Sequence, residues 1–199
     1  MKILDLFCGA GGAAKGISRV FPSATITGVD VWRQPNYPFS FILDNALRVS
    51  LGGYDLIWAS PPCQKYSVTK SIHSNIYHQD YIIPIRKRLV SSGIPYIIEN
   101  VVGAPLINPI MLCGTMFGQR FYRHRLFETS FKVDSLVHKK HSLPSSIESG
   151  IPSIAGHFRN VKEVREVMGI DWMSRDELAQ AIPPSYSEYI ASEFKRLLT

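Results

Sequence analysis

Cys63 follows Pro61-Pro62 and precedes Gln64, directly after the apolar run Tyr54–Ala59. A thiol there is a candidate nucleophile, since cysteine is intrinsically very nucleophilic although only a few per cent is thiolate at neutral pH. Burial in a core is the commoner fate of a free cysteine, but two prolines and a polar flank do not belong in a core strand. A place at a sheet edge, near a helix start or cations, would lower its pKa further. Glu99 ends a second apolar run, Pro95–Ile98. On its own Glu99-Asn100-Val101 reads as a surface turn; with a nucleophile ahead of it, Glu99 becomes a carboxyl able to share a proton with a reacting group. Arg123 and Arg125 alternate along a strand expected over 123–127, so both point to one face. Two guanidinium groups side by side need an anion or carboxylates between them, and salt bridges to Glu128 and its neighbours are the bland alternative.

The elements that must position these groups alternate between strand and helix. Strands are expected at Lys2–Leu6, 24–31, 39–43, 54–59 and 95–98, with helices from Gly11-Gly12 to about Val20 and from Gln79 to Ser91, the latter bent at Pro84. This order indicates a largely parallel α/β sheet covered on both faces. In such sheets ligands bind outside the carboxyl ends of the strands, where Asp5, Asp30, Asp44, Ser60 and Glu99 all fall. The polar stretch 65–78 reads as a mobile loop. Beyond Met111 come short strands, a loop-rich stretch over 130–160, and helices at 161–168, at 174–181 with a capping box from Ser174 to Glu177, and from Pro184 to Leu198.

The chain has 199 residues, enough for one domain with a sizeable core. Its 45% hydrophobic and 19% charged residues fit a globular protein rather than a disordered one. No apolar stretch reaches membrane-spanning length, and Met1-Lys2-Ile3 leads straight into a core-like strand, so no signal peptide is expected. Three cysteines without a C-x-x-C pair argue for reduced thiols in a cytoplasmic setting. The net charge of +6 names no partner by itself. The clusters Arg86-Lys87-Arg88, Arg120 with Arg123 and Arg125, and Lys139-Lys140 beside His138 and His141 suit a polyanion, with nucleic acid favoured. The pair His138-x-x-His141 lacks a cysteine or carboxylate at ligand spacing, so it reads as a polar loop, and no metal is expected.

Taken in order, Asp5-Leu6-Phe7-Cys8-Gly9-Ala10-Gly11-Gly12, Pro61-Pro62-Cys63-Gln64, Glu99-Asn100-Val101 and Arg123-x-Arg125 resemble the cytosine carbon-5 DNA methyltransferase family over most of the chain. The resemblance implies a Rossmann-like S-adenosylmethionine-dependent methyltransferase fold. It implies a DNA (cytosine-5-)-methyltransferase, with Cys63 adding to carbon 6 of a flipped-out cytosine, Glu99 steadying the ring nitrogen, and Arg123 and Arg125 holding the cysteine loop, the base and a phosphate. S-adenosylmethionine is the implied cosubstrate, with no metal. Its expected contacts are Phe7, Gly9, Ala10, Gly11, Gly12, Pro61 and Gln180, Asp30 at the ribose, Val31 or Trp32 against adenine, and Asp44 at the adenine amino group. Asp44 reads equally well as a helix cap before Ala46-Leu47. The glycine turn departs from the G-x-G-x-x-G dinucleotide fingerprint, which counts against an oxidoreductase.

Gln64, Ser67, Arg120, Lys139 and Lys140 are the expected nucleic-acid contacts, with double-stranded DNA as partner, no membrane and a monomeric chain. Two positions depart from the family pattern: Phe121 replaces the glutamine of Q-x-R-x-R, and Ala179-Gln180 replaces Gly-Asn in the last motif. Only 130–160 remains for target recognition, a loop rather than a domain, with 161–199 folding back on the core. So compact a chain resembles the family's phage and restriction-modification members. Methylation of tRNA cytosine and a non-catalytic DNA-binding or regulatory role remain the alternatives.

Overall fold

The computed structural model describes residues 1–66, 79–141 and 160–198. Ser67, most of the expected loop over 65–78, and the part of the expected recognition stretch over 142–159 lie outside the described residues.

Among the described residues, seven strands form one sheet: β1 (Lys2–Leu6), β2 (Thr25–Asp30), β3 (Ser40–Leu43), β4 (Leu56–Ala59), β5 (Tyr96–Asn100), β6 (Ile110–Leu112) and β7 (Arg125–Thr129). Their spatial order is β3-β2-β1-β4-β5-β7-β6. The pairs from β3 through β5 are parallel. β7 lies antiparallel to both of its neighbours, β5 and β6. The chain therefore winds outward from β1 to β3 on one side and from β4 on the other. The crevice between β1 and β4 is the switch point at which ligands sit in open α/β sheets.

Both faces of the sheet are buried, and alternate residues serve opposite faces. Ile3, Trp58 and Ile97 belong to a core shared with helix α1 (Gly12–Val20) and helix α5 (Pro184–Arg196). Leu4, Leu6, Ile57, Ala59 and Ile98 belong to a second core that takes in Ile85 and Leu89 of helix α2 (Ile82–Ser92). This is the expected α/β architecture with helices on both faces. Helices α3 (Val161–Met168) and α4 (Arg175–Gln180) add Val164, Met168 and Leu178 to the first core. The Ser174–Glu177 capping box opens α4 as expected, with Ser174 N donating to the Glu177 carboxylate at 2.7 Å.

Two glycines decide how the C-terminal segment meets the opening turn. A Cβ at Gly12 would strike the Ile182 carbonyl, and one at Gly16 would strike the Pro184 carbonyl. Only glycine permits this approach of α1 to the start of α5, and it brings the Ala179–Pro184 segment beside the turn after β1. Several element boundaries differ from expectation, among them β5, which runs on through Glu99 and Asn100, and two others with a clear cause. α2 begins at Ile82 rather than Gln79, which puts Pro84 in the first turn, where its missing N–H costs no intrahelical bond and calls for no bend. The strand expected over 123–127 begins only at Arg125, because Arg123 lies ahead of the paired segment.

Candidate active site

β4 ends at Ala59, and Ser60 N extends the ladder by donating to the Leu6 carbonyl at 3.1 Å. Pro61 and Pro62 then carry the chain off the sheet edge to Cys63, which is half-buried. The loop is tied down from the next strand: the buried Asn100 side chain donates to the Pro61 carbonyl at 2.8 Å. A turn closed by Tyr66 N donating to the Cys63 carbonyl at 2.9 Å leaves Gln64 exposed. From the sequence Asn100 reads only as part of a surface turn. Its reach across to the cysteine loop follows from the parallel pairing of β4 with β5.

Glu99 is 5% exposed and lies 3.1 Å from Arg125 Nε. Burial raises the Glu99 carboxyl above the ordinary glutamate value, while Arg125, Arg123 and a hydrogen bond from Ser60 pull it down without prevailing. A carboxyl so placed keeps its proton more readily than a surface glutamate, as its expected role requires. Cys63 departs from expectation. Burial pushes its thiol above the usual value, and Glu99 adds to the rise, while Arg125 and Arg123 only partly offset it. A sheet edge with nearby cations was expected to lower this pKa, but the cost of burying a thiolate outweighs the attraction.

Arg123 is 2% exposed and donates to the Ala179 carbonyl at 3.0 Å, linking the arginine segment to the last motif. The Tyr186 hydroxyl in turn donates to the Arg123 carbonyl at 2.6 Å. Glu128, the bland alternative partner for these arginines, instead pairs with Arg86 at 2.6 Å. Phe121 is fully buried and stacks on Tyr186, so the position of the family's glutamine is a core position here.

At the carboxyl ends of β1 and β2 the backbone forms an open cradle. Phe7, Gly9 and Gly11 all have positive φ, at 56°, 48° and 86°. A Cβ at Gly9 would meet nothing within 4 Å, so the turn faces free space. Asp30 holds this turn by accepting from Gly9 N at 3.1 Å on one oxygen and from Trp32 N at 3.0 Å on the other. Each carboxylate oxygen keeps a second lone pair for a ligand hydroxyl. Val31 and Trp32 beside it are 53% and 75% exposed, apolar surface at the same edge. The Trp172 indole donates to the Ala10 carbonyl at 2.9 Å and fixes the turn from the C-terminal side, a role with no sequence signal. Asp44 is exposed next to this edge, its N–H bonded to the Asp30 carbonyl at 3.1 Å. The cap reading of Asp44 is corrected: 46–48 form a turn rather than a helix, and Asn45 caps it by accepting from Leu47 N at 2.8 Å. Gln180 is exposed at the end of α4.

The basic clusters divide. Arg86 and Arg88 serve structure: Arg86 pairs with Glu128 and donates to the Pro105 carbonyl, and Arg88 donates to the carbonyls of Ala46 and Val49. That takes Arg86 and Arg88 out of the expected polyanion surface and leaves Lys87, which is exposed. Arg120, Lys139 and Lys140 are exposed. No helix among the described residues is long and apolar enough to cross a membrane. The histidine pair also differs from expectation, because Cys113 and His124 lie beside His138 and His141.

No protein-family model and no curated protein matches the chain. Solved structures do. A methyltransferase from Entamoeba histolytica, EhMeth, is similar with a TM-score of 0.64 at 14% identity, over 100% of this chain and 99% of that one. The Dnmt2 methyltransferase of S. pombe is similar with a TM-score of 0.62 at 13% identity, over 99% of each chain. At such identities the likeness shows the fold alone: the chain shares the Rossmann-like fold of these methyltransferases.

Proposed function

We propose that the chain transfers a methyl group from S-adenosylmethionine to carbon 5 of cytosine in double-stranded DNA, through a covalent bond from Cys63 to carbon 6. The observation that carries this reading is the meeting of Cys63 with Glu99 and Arg125 at the sheet edge that also bears the Gly9–Asp30 cradle. The residues fit the cosubstrate. Asp30 retains acceptors for two ribose hydroxyls, Val31 and Trp32 offer an exposed apolar face to a purine, and the turn at Gly9 leaves room for backbone approach. When bound, S-adenosylmethionine supplies an electrophilic methyl group.

The chain's own residues do the rest. The Cys63 thiolate forms the Sγ–carbon 6 bond, and the displaced electron pair makes carbon 5 nucleophilic. The proton held by Glu99 passes to the ring nitrogen or is shared with it, so the developing negative charge is neutralised in a water-poor site. Arg125 fixes the Glu99 carboxyl and stabilises the thiolate once it forms. The carbon 5 electron pair takes the methyl group; a water molecule acting as base then removes the carbon 5 proton, the Sγ–carbon 6 bond breaks to return the thiolate, and the ring-nitrogen proton goes back to Glu99. Cys63 cannot reach carbon 6 within a stacked duplex, so the base must rotate out at a cost of a few kcal/mol.

Labelled-methyl transfer to duplex DNA and to tRNA, run side by side, tests the reading. Incorporation into DNA cytosine supports it. Incorporation confined to tRNA would move the same chemistry to RNA, and cofactor binding without transfer to either would favour a regulatory protein.

A further inference from the structure

Cys113, His124, His138 and His141 are scattered in sequence but share one corner of the fold. Cys113 follows β6 and is fully buried, His124 directly precedes β7, and His138 and His141 lie on the chain that leaves β7. One ligand atom from each lies within 4.8 Å of all the others. His138 Nε2 is 3.2 Å from His124 Nε2 and 3.1 Å from His141 Nε2, and His141 Nε2 is 3.4 Å from Cys113 Sγ.

Hydrogen bonding cannot satisfy this cluster. A ring nitrogen of imidazole carries either one proton or one lone pair in the ring plane. His138 Nε2 and His141 Nε2 each face two neighbours. Protonating all three rings would set cations against one another instead. A divalent cation at the centre takes one lone pair from every ring and one from the sulfur. Zn–N bonds of about 2.0–2.1 Å and a Zn–S bond of about 2.3 Å at tetrahedral angles put ligand atoms roughly 3.3–3.6 Å apart; the three spacings of 3.1–3.4 Å lie close to this, and the remaining pairs, all within 4.8 Å, need only small side-chain movements to close on an ion. The rings are also held from behind: Tyr122 stacks on His141 at 3.7 Å between centroids, and the Thr115 hydroxyl lies 3.5 Å from Cys113 Sγ. Such outer contacts orient metal ligands.

We propose that Cys113, His124, His138 and His141 bind one structural Zn²⁺ ion. Four protein ligands fill a tetrahedral shell and leave no open position for substrate or water, which makes the site structural rather than catalytic. Binding releases the Cys113 thiol proton and leaves the imidazoles neutral. His138 and His141 bracket the exposed Lys139 and Lys140, and His124 sits between Arg123 and Arg125. The ion therefore fastens the lysine pair to the strand end that carries Arg125. Presentation of those lysines to DNA rests on the function proposed above; the metal site does not.

The test uses the full chain, loaded with zinc, dialysed against a weak chelator and analysed for metal. About one zinc per chain is expected, falling to under about a tenth in Cys113→Ser and in His138→Ala, as loss of a ligand requires, and staying near one in Cys63→Ala. Should a variant fail to fold, titration of the parent with Co²⁺ alone is expected to give a thiolate-to-metal charge-transfer band that Cys63→Ala retains. Zinc should also slow tryptic cleavage after Lys139 and Lys140, with a chelator restoring it. A parent that keeps less than about a tenth of an equivalent of zinc overturns the proposal. So does Co²⁺ binding without a thiolate band, cleavage indifferent to zinc, or an unchanged zinc content in folded Cys113→Ser and His138→Ala.

Discussion

Arg125 Nε lies 3.1 Å from Glu99 Oε1, across the antiparallel boundary between β7 and β5. Glu99 pairs in register with Phe127, so Arg125 is its diagonal neighbour, close enough for a long side chain to reach. The reversal of β7 is what achieves this. It brings the beginning of an antiparallel strand to the edge where parallel strands end, and so sets a guanidinium beside a carboxyl and a thiol.

Replacing Arg125 with Gln should therefore do more harm to turnover than to cofactor binding. Arg125 opposes the upward shift of both Cys63 and Glu99, so its loss makes the thiolate scarcer and frees the carboxyl. We expect kcat to fall by about 100-fold, the order seen when one charge-stabilising donor is removed, with S-adenosylmethionine affinity nearly unchanged. Calorimetric titration beside single-turnover kinetics checks both halves.

The pH profile carries a second signature. The proposed transfer needs Glu99 protonated and Cys63 ionised, and both pKa values are raised, chiefly by burial. Activity should fall at low pH as the thiolate is lost and at high pH as Glu99 ionises. In Glu99→Gln the alkaline fall attributable to Glu99 should vanish, leaving a slower enzyme whose rate climbs with pH until the thiol is fully ionised. An alkaline limb unchanged in Glu99→Gln would show that Glu99 does not hold the proton.

Asn100→Ala should lower activity from a distance. It leaves the buried Pro61 carbonyl without its 2.8 Å bond, a loss of about 1–3 kcal/mol in stability, and releases the loop that aims Cys63. Urea unfolding together with kcat measures this, and kcat should fall while the KM for S-adenosylmethionine stays within a few-fold.

Much of this was legible in the sequence, for a physical reason. Apolar runs stop where strands stop, so the polar residue that follows each run marks the ligand-facing edge: Asp30, Ser60 and Glu99 were found that way. The partners of those residues were not legible, because they depend on which strands are adjacent and in which direction. The reach of Asn100 to Pro61, of Trp172 to Ala10 and of Tyr186 to Arg123 spans distances that no local pattern records. Charge runs misled where their side chains turn inward, as Arg86 and Arg88 do. His138 and His141 looked partnerless because Cys113 and His124 are reached only through the pairing of β6 with β7.

Asp5 offers a test of stability alone. It is 1% exposed, accepts from the Tyr37 hydroxyl at 3.3 Å, and its carboxyl is held well above the usual range, mainly by burial and further by Asp30. A raised folded-state value means its stabilising contribution is full below the ordinary carboxylate pKa and is lost as pH rises through the raised one. Asn needs no proton there. Asp5→Asn should therefore gain stability relative to the parent as pH rises through that window, read as a widening gap between midpoints of chemical unfolding. A gap that does not change with pH would show that the buried carboxyl titrates normally.

Covalent attack by Cys63 on carbon 6 leaves a bond that can be trapped. The protein is incubated with S-adenosylmethionine and a duplex carrying 5-fluorocytosine, whose fluorine blocks the final elimination, and the products are digested and read by mass spectrometry. A methylated nucleotide adduct is expected on the peptide bearing Cys63, and none in Cys63→Ala. A preparation that methylates ordinary cytosine yet yields no adduct, or yields one on Cys8 or Cys113, would contradict it.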